Sequence, residues 1–309
     1  MKTNTRLPRI LVVDDEISNL EIIEEYLDDE HCLLLTQSSS LEAWKILESG
    51  NENFDLILLD WMMPELDGLA LLKRIKQQPA LKNVPVIMQT ARSDEKDLLQ
   101  GIANGAYYYL TKPYDQKSLC VVVREALEES RQLQRLTDQL HKTKKPEHLK
   151  QSARFKFQSL SESHDLAMLL ANACPDPDKV LSGINELFTN AIEHGNLGIG
   201  YYEKARLKHD NTWHEEIEKR ITLPEYSSKF VDVDFEHNGN HISMTISDQG
   251  KGFDWNNYLD FDPARLFDCN GRGIAMAKML SFDSIEYIGN GNTVIARIDL
   301  PNSTKKNDE

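Results

Sequence analysis

Short apolar runs alternate with amphipathic segments between Arg9 and about Leu127. The apolar runs are RILVV, CLLLT, FDLILL, VPVIMQT and AYYYL, and the amphipathic segments are EISNLEIIEEYL, SLEAWKILESG, ELDGLALLKRIK, EKDLLQGIANG and DQKSLCVVVREAL. Near-continuous apolar strands are typical of sheets covered on both faces. The pattern therefore predicts a doubly wound α/β domain over residues 1–128, with five parallel strands and five helices.

A charged segment without glycine follows, from Arg124 to Lys145. Its apolar residues recur at heptad-like spacing, interrupted by Glu129. They are Ala126, Leu133, Leu136 and Leu140. Two alternatives fit this pattern, a short helix that forms a homodimer and an exposed extension of the preceding helix. We assign residues 129–152 to a helical linker that is broken at Pro146.

The C-terminal half mixes strands of alternating polarity with helices. The predicted strands are ARFKFQSL, KFVDVDFEH, HISMTIS, SIEYI and TVIARI, with helices through His194, after Gly273 and in a polar insert over residues 197–226. This order predicts an α/β sandwich, α+β in class, over residues 153–301. The polar tail at 302–309 is expected to be disordered.

Composition and charge restrict the class of protein. The 309 residues suffice for two domains of ordinary size. The formal charge of −15 disfavours nucleic acid and anionic membranes as partners, because phosphate surfaces would be repelled. No apolar run approaches the ~18 residues of a membrane span, and MKTNTRLPR lacks the apolar core of a signal peptide. We expect a soluble cytoplasmic protein.

The four cysteines suggest neither a disulfide framework nor a zinc site. Cys32, Cys120, Cys174 and Cys269 form no CxxC pair and have no histidine at metal-ligand spacing. Reduced thiols are therefore expected.

Polar residues collect where the predicted parallel strands end. Asp14, Asp15 and Asp60 each follow an apolar strand directly, Thr90 ends the fourth strand and Lys112 follows the fifth. These residues should meet at the carboxyl edge of the sheet, where open α/β folds bind ligands. A carboxylate nucleophile, oxygen ligands for Mg²⁺ and cationic or hydroxyl donors are the components of a phosphoryl-transfer site.

This half of the chain resembles the receiver domain of bacterial response regulators over residues 7–128. The motifs are VVDDE, LLDWMMPELDG, Thr90 followed by Ala91, and YLTKP. The resemblance implies that Asp60 accepts phosphate from an upstream histidine kinase and that Lys112 binds a phosphate oxygen. The residues it assigns to Mg²⁺ are Asp14, Asp15, Asp60 and Met62.

Further expectations come with this resemblance. Thr90 and Tyr109 would form a switch pair, although Tyr109 also fits an aromatic side chain that fills a gap at the sheet edge. Lys112–Pro113 should be a cis peptide. Met62 and Arg92 are placed to obstruct water near the acyl phosphate, which would prolong the phosphorylated state.

A second group of residues begins in INELFTNAIEHGN, from Ile184 to Asn196. Glu186, Asn190 and His194 are four residues apart and should form one ridge along a helix. Downstream, ISDQGKGFDW and GRGIAMAK contribute an acid after a strand and two glycine pairs. Glycines let a backbone approach a ligand closely, and a helix N-terminus attracts phosphate.

The order of these motifs resembles the ATP-binding domain of GHKL type shared by histidine kinases, gyrase, chaperones of the heat-shock 90 class and anti-sigma-factor kinases, over residues 153–300. The resemblance implies that Asn190 binds Mg²⁺, that Asp248 reads adenine and that Glu186 is a general base. The glycine boxes would be Gly250, Gly252, Gly271 and Gly273. Residues 254–270 would form a lid, with Arg265 and Arg272 steadying the γ-phosphate. His194 either faces the nucleotide or packs at the Gly195 turn.

The histidines argue against a conventional histidine kinase. His141 and His148 lie in a linker too short for a helical hairpin, and His164 lies inside the ATP domain. The second half looks more like the anti-sigma-factor serine kinases, which phosphorylate a small antagonist protein or sequester a sigma factor. An atypical histidine kinase and a non-catalytic ATP-binding module that captures a partner remain alternatives.

The insert at 197–226 is longer than this branch of the family usually carries. Trp213, Ile217 and Ile221 form a narrow apolar stripe on an acidic helix. Packing on its own domain and docking of a partner are both consistent with this stripe.

Overall fold

The structure is a computed structural model that describes residues 6–91, 100–142, 151–210, 212–255, 258–259 and 271–300. The chain divides into two compact units, one ending at Gln132 and the other beginning at Leu133. This boundary lies inside the segment expected to be a linker.

The N-terminal unit contains a five-stranded parallel sheet in the order β2-β1-β3-β4-β5. Its strands are β1 (Arg9–Val13), β2 (Leu33–Gln37), β3 (Leu56–Asp60), β4 (Val86–Thr90) and β5 (Tyr108–Thr111). Every residue of β3 and β4 is buried, as expected for central strands covered on both faces. The predicted doubly wound α/β architecture is confirmed.

Helices of this unit follow the predicted amphipathic segments. They are α1 (Ile17–Leu27), α2 (Ser40–Ser49), α3 (Gly68–Gln77) and α4 (Gln116–Lys142). Ser39 caps α2 and Asp67 caps α3, each accepting a backbone N–H from the first turn. Residues 95–99 of the remaining segment, EKDLLQGIANG, lie outside the described residues, and residues 100–103 are helical.

Helix α4 continues well past the predicted domain end. Leu136 and Leu140 are buried in the core of the C-terminal unit, and Asn172 Nδ2 donates a hydrogen bond to the Leu140 carbonyl. Residues 129–142 of the predicted linker thus extend the preceding helix, and within them Leu136 and Leu140 are packed rather than exposed. These two leucines are not free to form a dimer seam.

The C-terminal unit contains an antiparallel sheet in the order β6-β7-β8-β10-β9. Its strands are β6 (Ser152–Phe157), β7 (Val231–His237), β8 (His241–Ser247), β9 (Ser284–Ile288) and β10 (Thr293–Asp299). Alternate residues of β7 and β10 are buried, which is typical of a sheet with one covered face.

Helices α5 (Leu160–Asn172) and α9 (Gly273–Leu280) each pack against α6 (Pro177–Asn190), and the three share a core with the sheet. A capping box of Ser159 and Glu162 starts α5, and Asp176 caps α6 ahead of Pro177. Phe157 and Phe188 meet in this core with their ring centroids 4.7 Å apart. The predicted α/β sandwich is confirmed.

The insert forms α7 (Tyr201–His209) and α8 (Trp213–Ile221). Ile217 is fully buried, and Trp213 and Ile221 pack against the core of the same unit. The stripe therefore packs on its own domain. The alternative prediction, that a partner docks on Ile217, is wrong because this side chain is inaccessible.

Within the part of the chain that the structure describes, no helix has both the length and the apolar character needed to cross a membrane. Cys32, Cys120 and Cys174 are free thiols, and burial raises the pKa of Cys174 to about 12. Cys269 and the tail at 302–309 lie outside the described residues.

Candidate functional site

Asp14, Asp60 and Lys112 meet at the carboxyl edge of the parallel sheet, as predicted. Both carboxylates are buried, and Lys112 Nζ donates a hydrogen bond to each of them. Burial would lower the pKa of Lys112, but the two carboxylates outweigh it and raise that pKa above its ordinary value. Burial raises the pKa of Asp60. The ammonium therefore stays charged beside the candidate nucleophile.

Backbone and amide donors hold the two carboxylates in place. Asp60 Oδ2 accepts the Met62 N–H at 2.7 Å, and Asp14 Oδ1 accepts the Asn19 amide at 3.0 Å. A Cβ on Gly68 would lie 2.0 Å from the Asp60 carbonyl oxygen, so this position requires glycine. The sequence did not identify Asn19 as a site residue, because nothing there distinguishes it from an ordinary helix residue.

The predicted Mg²⁺ ligands differ in burial. Asp14 and Asp60 converge on Lys112, whereas Asp15 is exposed and the Met62 side chain is 58% exposed. Among the described residues, no group of three or more His, Cys, Asp or Glu side chains is placed to hold a metal. The two buried carboxylates are nevertheless hard oxygen donors of the kind that Mg²⁺ prefers.

The proposed switch residues lie on adjacent strands. Thr90 ends β4, and Tyr109 on β5 is fully buried against Trp61, with ring centroids 6.2 Å apart. A Cβ on Gly101 would fall within 1.5 Å of the Tyr109 hydroxyl, so the ring fills a slot that glycine leaves. The predicted cis peptide at Lys112–Pro113 is present. Arg92 lies outside the described residues.

Gln89 and Tyr114 form a polar pair next to this site. Gln89 is fully buried and is in register with Asp60, and the Tyr114 hydroxyl bonds to its side-chain oxygen. Burial, with Asp14 and Asp60 nearby, raises the pKa of Tyr114 above its ordinary value. The only signal in the sequence was a glutamine in the apolar run VIMQT.

Glu186 and Asn190 form the predicted ridge on α6. Asn190 Nδ2 donates to Glu186 Oε1 at 2.9 Å. A Cβ on Gly273 would lie 1.6 Å from the same Glu186 oxygen. Glycine at the start of α9 therefore lets the carboxylate of α6 lie directly against that helix N-terminus.

The ridge does not extend to His194. Residues Ala191–Asn196 form a π-helical turn, so the 3.6-residue spacing ends at Asn190. His194 Nδ1 is 2.5 Å from the Ile199 carbonyl oxygen, and Nε2 is 3.1 Å from Glu193 Oε1. Of the two alternatives for His194, the structure shows packing at this turn.

Asp248 follows β8 and contacts the π-helical turn. Burial raises the pKa of Asp248 to about 6, opposed by the Gly250 N–H at 2.7 Å and by Lys229. A Cβ on Gly195 would lie 2.3 Å from Asp248 Cγ, and one on Gly250 would lie 2.4 Å from the Gly195 carbonyl oxygen. Both glycines are needed for this close approach.

The other predicted glycines lie at tight turns. Gly252 has φ +75°, and a Cβ there would meet the Asn290 carbonyl oxygen at 2.1 Å. Gly271 has φ +84° and lies against the Tyr201 ring. Arg272 immediately precedes α9. Arg265 and most of the predicted lid lie outside the described residues.

The residues around α6 fit an adenine nucleotide with its Mg²⁺. Asp248 is a half-buried acceptor for an amino group, glycines line the turns beside it, and Asn190 and Glu186 supply oxygens near a helix N-terminus. Asn185 Oδ1, also on α6, is buried without a hydrogen-bond partner among the described residues. Buried polar atoms are rarely left unpaired, so this oxygen is consistent with a site that binds a ligand.

Two family models match the chain. The response regulator receiver domain matches residues 10–124, and the histidine kinase-like ATPase domain matches residues 143–298. The chain belongs to the histidine kinase-like ATPase family and carries an N-terminal receiver domain. Asp14, Asp60 and Lys112 fall within the receiver match, and Glu186, Asn190 and Asp248 fall within the ATPase match.

Similar proteins match the receiver domain. A transcriptional regulatory protein CpxR homolog of Haemophilus influenzae is 36% identical over 40% of this chain and 52% of its own length. The phosphate regulon regulator PhoB of Escherichia coli is 35% identical over 38% and 51%. The sensor histidine kinase CheAY of Helicobacter pylori is 31% identical over 38% and 15%. The chain spans about half the length of the two regulators.

A solved structure of a receiver domain from an HD domain-containing protein of Pseudomonas fluorescens is also similar. It is 31% identical, with a TM-score of 0.41, over 44% of this chain and 97% of that one.

Proposed function

We propose that this response regulator is phosphorylated on Asp60 and thereby controls an ATP-dependent serine/threonine protein kinase of the anti-sigma type. The observation that carries the proposal is the joining, in one chain, of a receiver domain to an ATPase domain whose α6 aligns Glu186 and Asn190. An upstream histidine kinase is the proposed phosphodonor. An anti-sigma antagonist or a sigma-factor-like protein is the proposed downstream partner.

In the receiver domain, Asp60 would attack the phosphoryl group and Lys112 would neutralise the incoming oxygens. Lys112 already contacts Asp60 and Asp14, so its charge is in place before phosphate arrives. Asp14 and Asp60 would hold Mg²⁺, which supplies further charge neutralisation when bound.

In the ATPase domain, Asp248 would accept the amino group of adenine and Asn190 would contribute an oxygen to Mg²⁺. Glu186 would take the proton from the attacking hydroxyl of a serine or threonine, as a general base. Its carboxylate lies between Asn190 and the start of α9, which is the side of the pocket where the phosphates would lie.

The described histidines support serine or threonine as acceptor. His164 lies within the ATPase domain on α5, and burial lowers its pKa. His141, at the end of α4, is 3.2 Å from Asp178 of the same unit. Neither lies on a separate helical hairpin, which a conventional histidine kinase uses to present its phosphoacceptor. His148 lies outside the described residues.

The test is transfer of label from γ-³²P-ATP to proteins captured from the native host. Asp60→Ala removes acyl phosphate on the receiver, and Asp248→Ala serves as the control that lacks the acceptor in the nucleotide pocket. Acid-stable label on a partner serine or threonine, given by the wild type with or without acetyl phosphate and absent with Asp248→Ala, is the expected result. Acid-labile label on the Asp60→Ala chain itself would show a histidine kinase instead. Nucleotide binding without any transfer, even from the wild type treated with acetyl phosphate, would show a capture module.

A further inference from the structure

Both helices of the insert contact one buried carboxylate, that of Glu193. Lys204 Nζ, from α7, donates to Glu193 Oε1, and Trp213 Nε1, from α8, donates to Oε2 at 2.9 Å. Glu193 is fully buried and the Lys204 side chain is only 13% exposed. Each oxygen of the carboxylate is thus held by a different helix of the insert.

The charges around Glu193 keep it ionised. Burial alone would raise the pKa of Glu193, but Lys204 and His194 outweigh it and hold that pKa at about 2. A buried charge is tolerated only when it is paired and hydrogen-bonded. The contact between Glu193 and the insert is therefore a fixed ion pair at neutral pH.

Glu193 belongs to the π-helical turn at residues 191–196, and the other side of that turn contacts the loop that carries Asp248. Gly195 lies against the Asp248 carboxylate, and Asn196 Oδ1 accepts the Gln249 N–H at 2.8 Å. Lys229 Nζ donates to the Asn196 carbonyl oxygen at 2.9 Å. Short π-helical turns are frequent at functional sites and depend on surrounding contacts.

We propose that Glu193 is a positioning residue through which α7 and α8 hold the 191–196 turn against the Asp248 loop, so that the insert sets the affinity of the pocket for the adenine end of its nucleotide. The inference rests on the proposed ATP-binding function. It gives the long insert a role inside its own domain.

The sharpest variant is Trp213→Phe, because it removes the Nε1–H donor and keeps most of the partly buried ring. Binding of a fluorescent ADP analogue should weaken about fivefold, the scale of one buried hydrogen bond. Glu193→Gln should weaken binding about tenfold or more, because Lys204 then loses its charged partner. The loss should be equal with and without Mg²⁺, since the Asp248 loop contacts adenine rather than the metal.

Two variants serve as matched controls. Lys204→Arg keeps a cation for Glu193 and should retain near-normal affinity. Glu216→Gln breaks the contacts of Glu216 with Lys219 and Arg220 on α8 but leaves Glu193 untouched, so the affinity should not change. If Glu193→Gln fails to fold, the Trp213→Phe result decides.

Amide hydrogen exchange in the protein without nucleotide separates this inference from the proposed function. In Trp213→Phe the Gln249 and Gly250 amides should exchange faster than in the wild type, whether or not the protein binds nucleotide. Unchanged exchange would overturn the inference. A loss of affinity seen only with Mg²⁺ would also overturn the inference, because it would point to Asn190. An equal loss of affinity in Glu216→Gln would overturn it as well, because it would indicate general loosening of α8. Failure of the wild type to bind any adenine nucleotide would refute the proposed function and the effect on affinity, whereas faster exchange in Trp213→Phe would still show that the insert holds the turn against the Asp248 loop.

Discussion

At the scale of single residues, the buried carboxylate of Glu193 and the half-buried carboxylate of Asp248 are in opposite electrostatic environments. Burial pushes the pKa of both upward, but Glu193 has Lys204 and His194 beside it and its pKa falls to about 2. Asp248 has only the Gly250 N–H and the influence of Lys229 against burial, and its pKa rises to about 6. The first is suited to a permanent ion pair and the second to a group whose charge depends on pH and on a bound ligand.

We predict that adenine nucleotide affinity falls as the pH is lowered from 7.5 to 5.5. The folded pKa of Asp248 lies above its ordinary value, so protonation is half complete near pH 6 and replaces the charged acceptor for the adenine amino group with a weaker, neutral one. The check is to titrate a nucleotide analogue into the wild type and into Asp248→Asn at each pH. The variant has an acceptor that does not titrate, and the ligand's own ionisation affects both proteins equally. Identical pH profiles for the two proteins would contradict it.

The same shift has a consequence for stability with a definite sign. Below the pKa of Asp248 in the unfolded chain, near 3.8, Asp248 is protonated in both the folded and the unfolded state and does not lower the free energy of unfolding. Between that pH and about 6, Asp248 is ionised mainly in the unfolded state. The contribution to the free energy of unfolding therefore decreases as pH rises through this window, by at most about 3 kcal/mol. In Asp248→Asn this decrease in the free energy of unfolding should be absent, which chemical denaturation between pH 4 and pH 7 would measure.

At the scale of elements, the strands and most helices were predictable because their signal is local. The apolar run LILLD and the alternating HISMTIS each indicate burial without reference to any distant residue. The π-helical turn was not predictable, because INELFTNAIEHGN continues the helical spacing and only contacts with Lys204, Trp213 and Asp248 show the change. The continuation of α4 was foreseen as one alternative, but the burial of Leu140 depends on a core formed far along the chain.

The contact between α6 and α9 gives an element-scale prediction for Gly273→Ala. The added Cβ would fall on Glu186 Oε1, the end of a flexible side chain, so the carboxylate should move while the helices stay packed. We expect phosphoryl transfer to fall at least about tenfold, the scale of losing a general base, with nucleotide affinity much less affected. Single-turnover kinetics beside equilibrium binding measure the two effects separately.

Gly200→Ala is the matched control for that substitution. Gly200 precedes α7 in an extended conformation, and a Cβ there would meet nothing within 4 Å. It should leave transfer and binding unchanged. Equal loss of nucleotide binding and transfer in Gly273→Ala would show that the clash displaces the helix and would argue against a separate role for Glu186.

At the scale of the whole molecule, one helix contributes to both cores. Helix α4 buries Leu119 and Val123 in the receiver domain, and further along it buries Leu136 and Leu140 in the ATPase domain. A change in the receiver that alters how α4 packs has a covalent route to the second core. Sequence periodicity alone assigned this stretch to a linker, because heptad-like spacing does not reveal which surface the leucines contact.

We predict that Gln132→Pro, at the boundary between the units, uncouples phosphorylation from kinase output. Proline inside a helix removes a backbone hydrogen bond and costs about 3 kcal/mol or more, so α4 should break near that residue while each core keeps its own leucines. Asp60 should still accept phosphate from acetyl phosphate, and the ATPase domain should still bind nucleotide. The ratio of phosphoryl transfer with and without acetyl phosphate, which should differ from one in the wild type, should return to one in this variant.

Asp60→Ala should give the same ratio for a different reason, loss of the nucleophile. Gln132→Ala, which keeps the helix, should retain the wild-type ratio; a wild-type ratio in Gln132→Pro would show that the continuity of α4 is not needed for the signal.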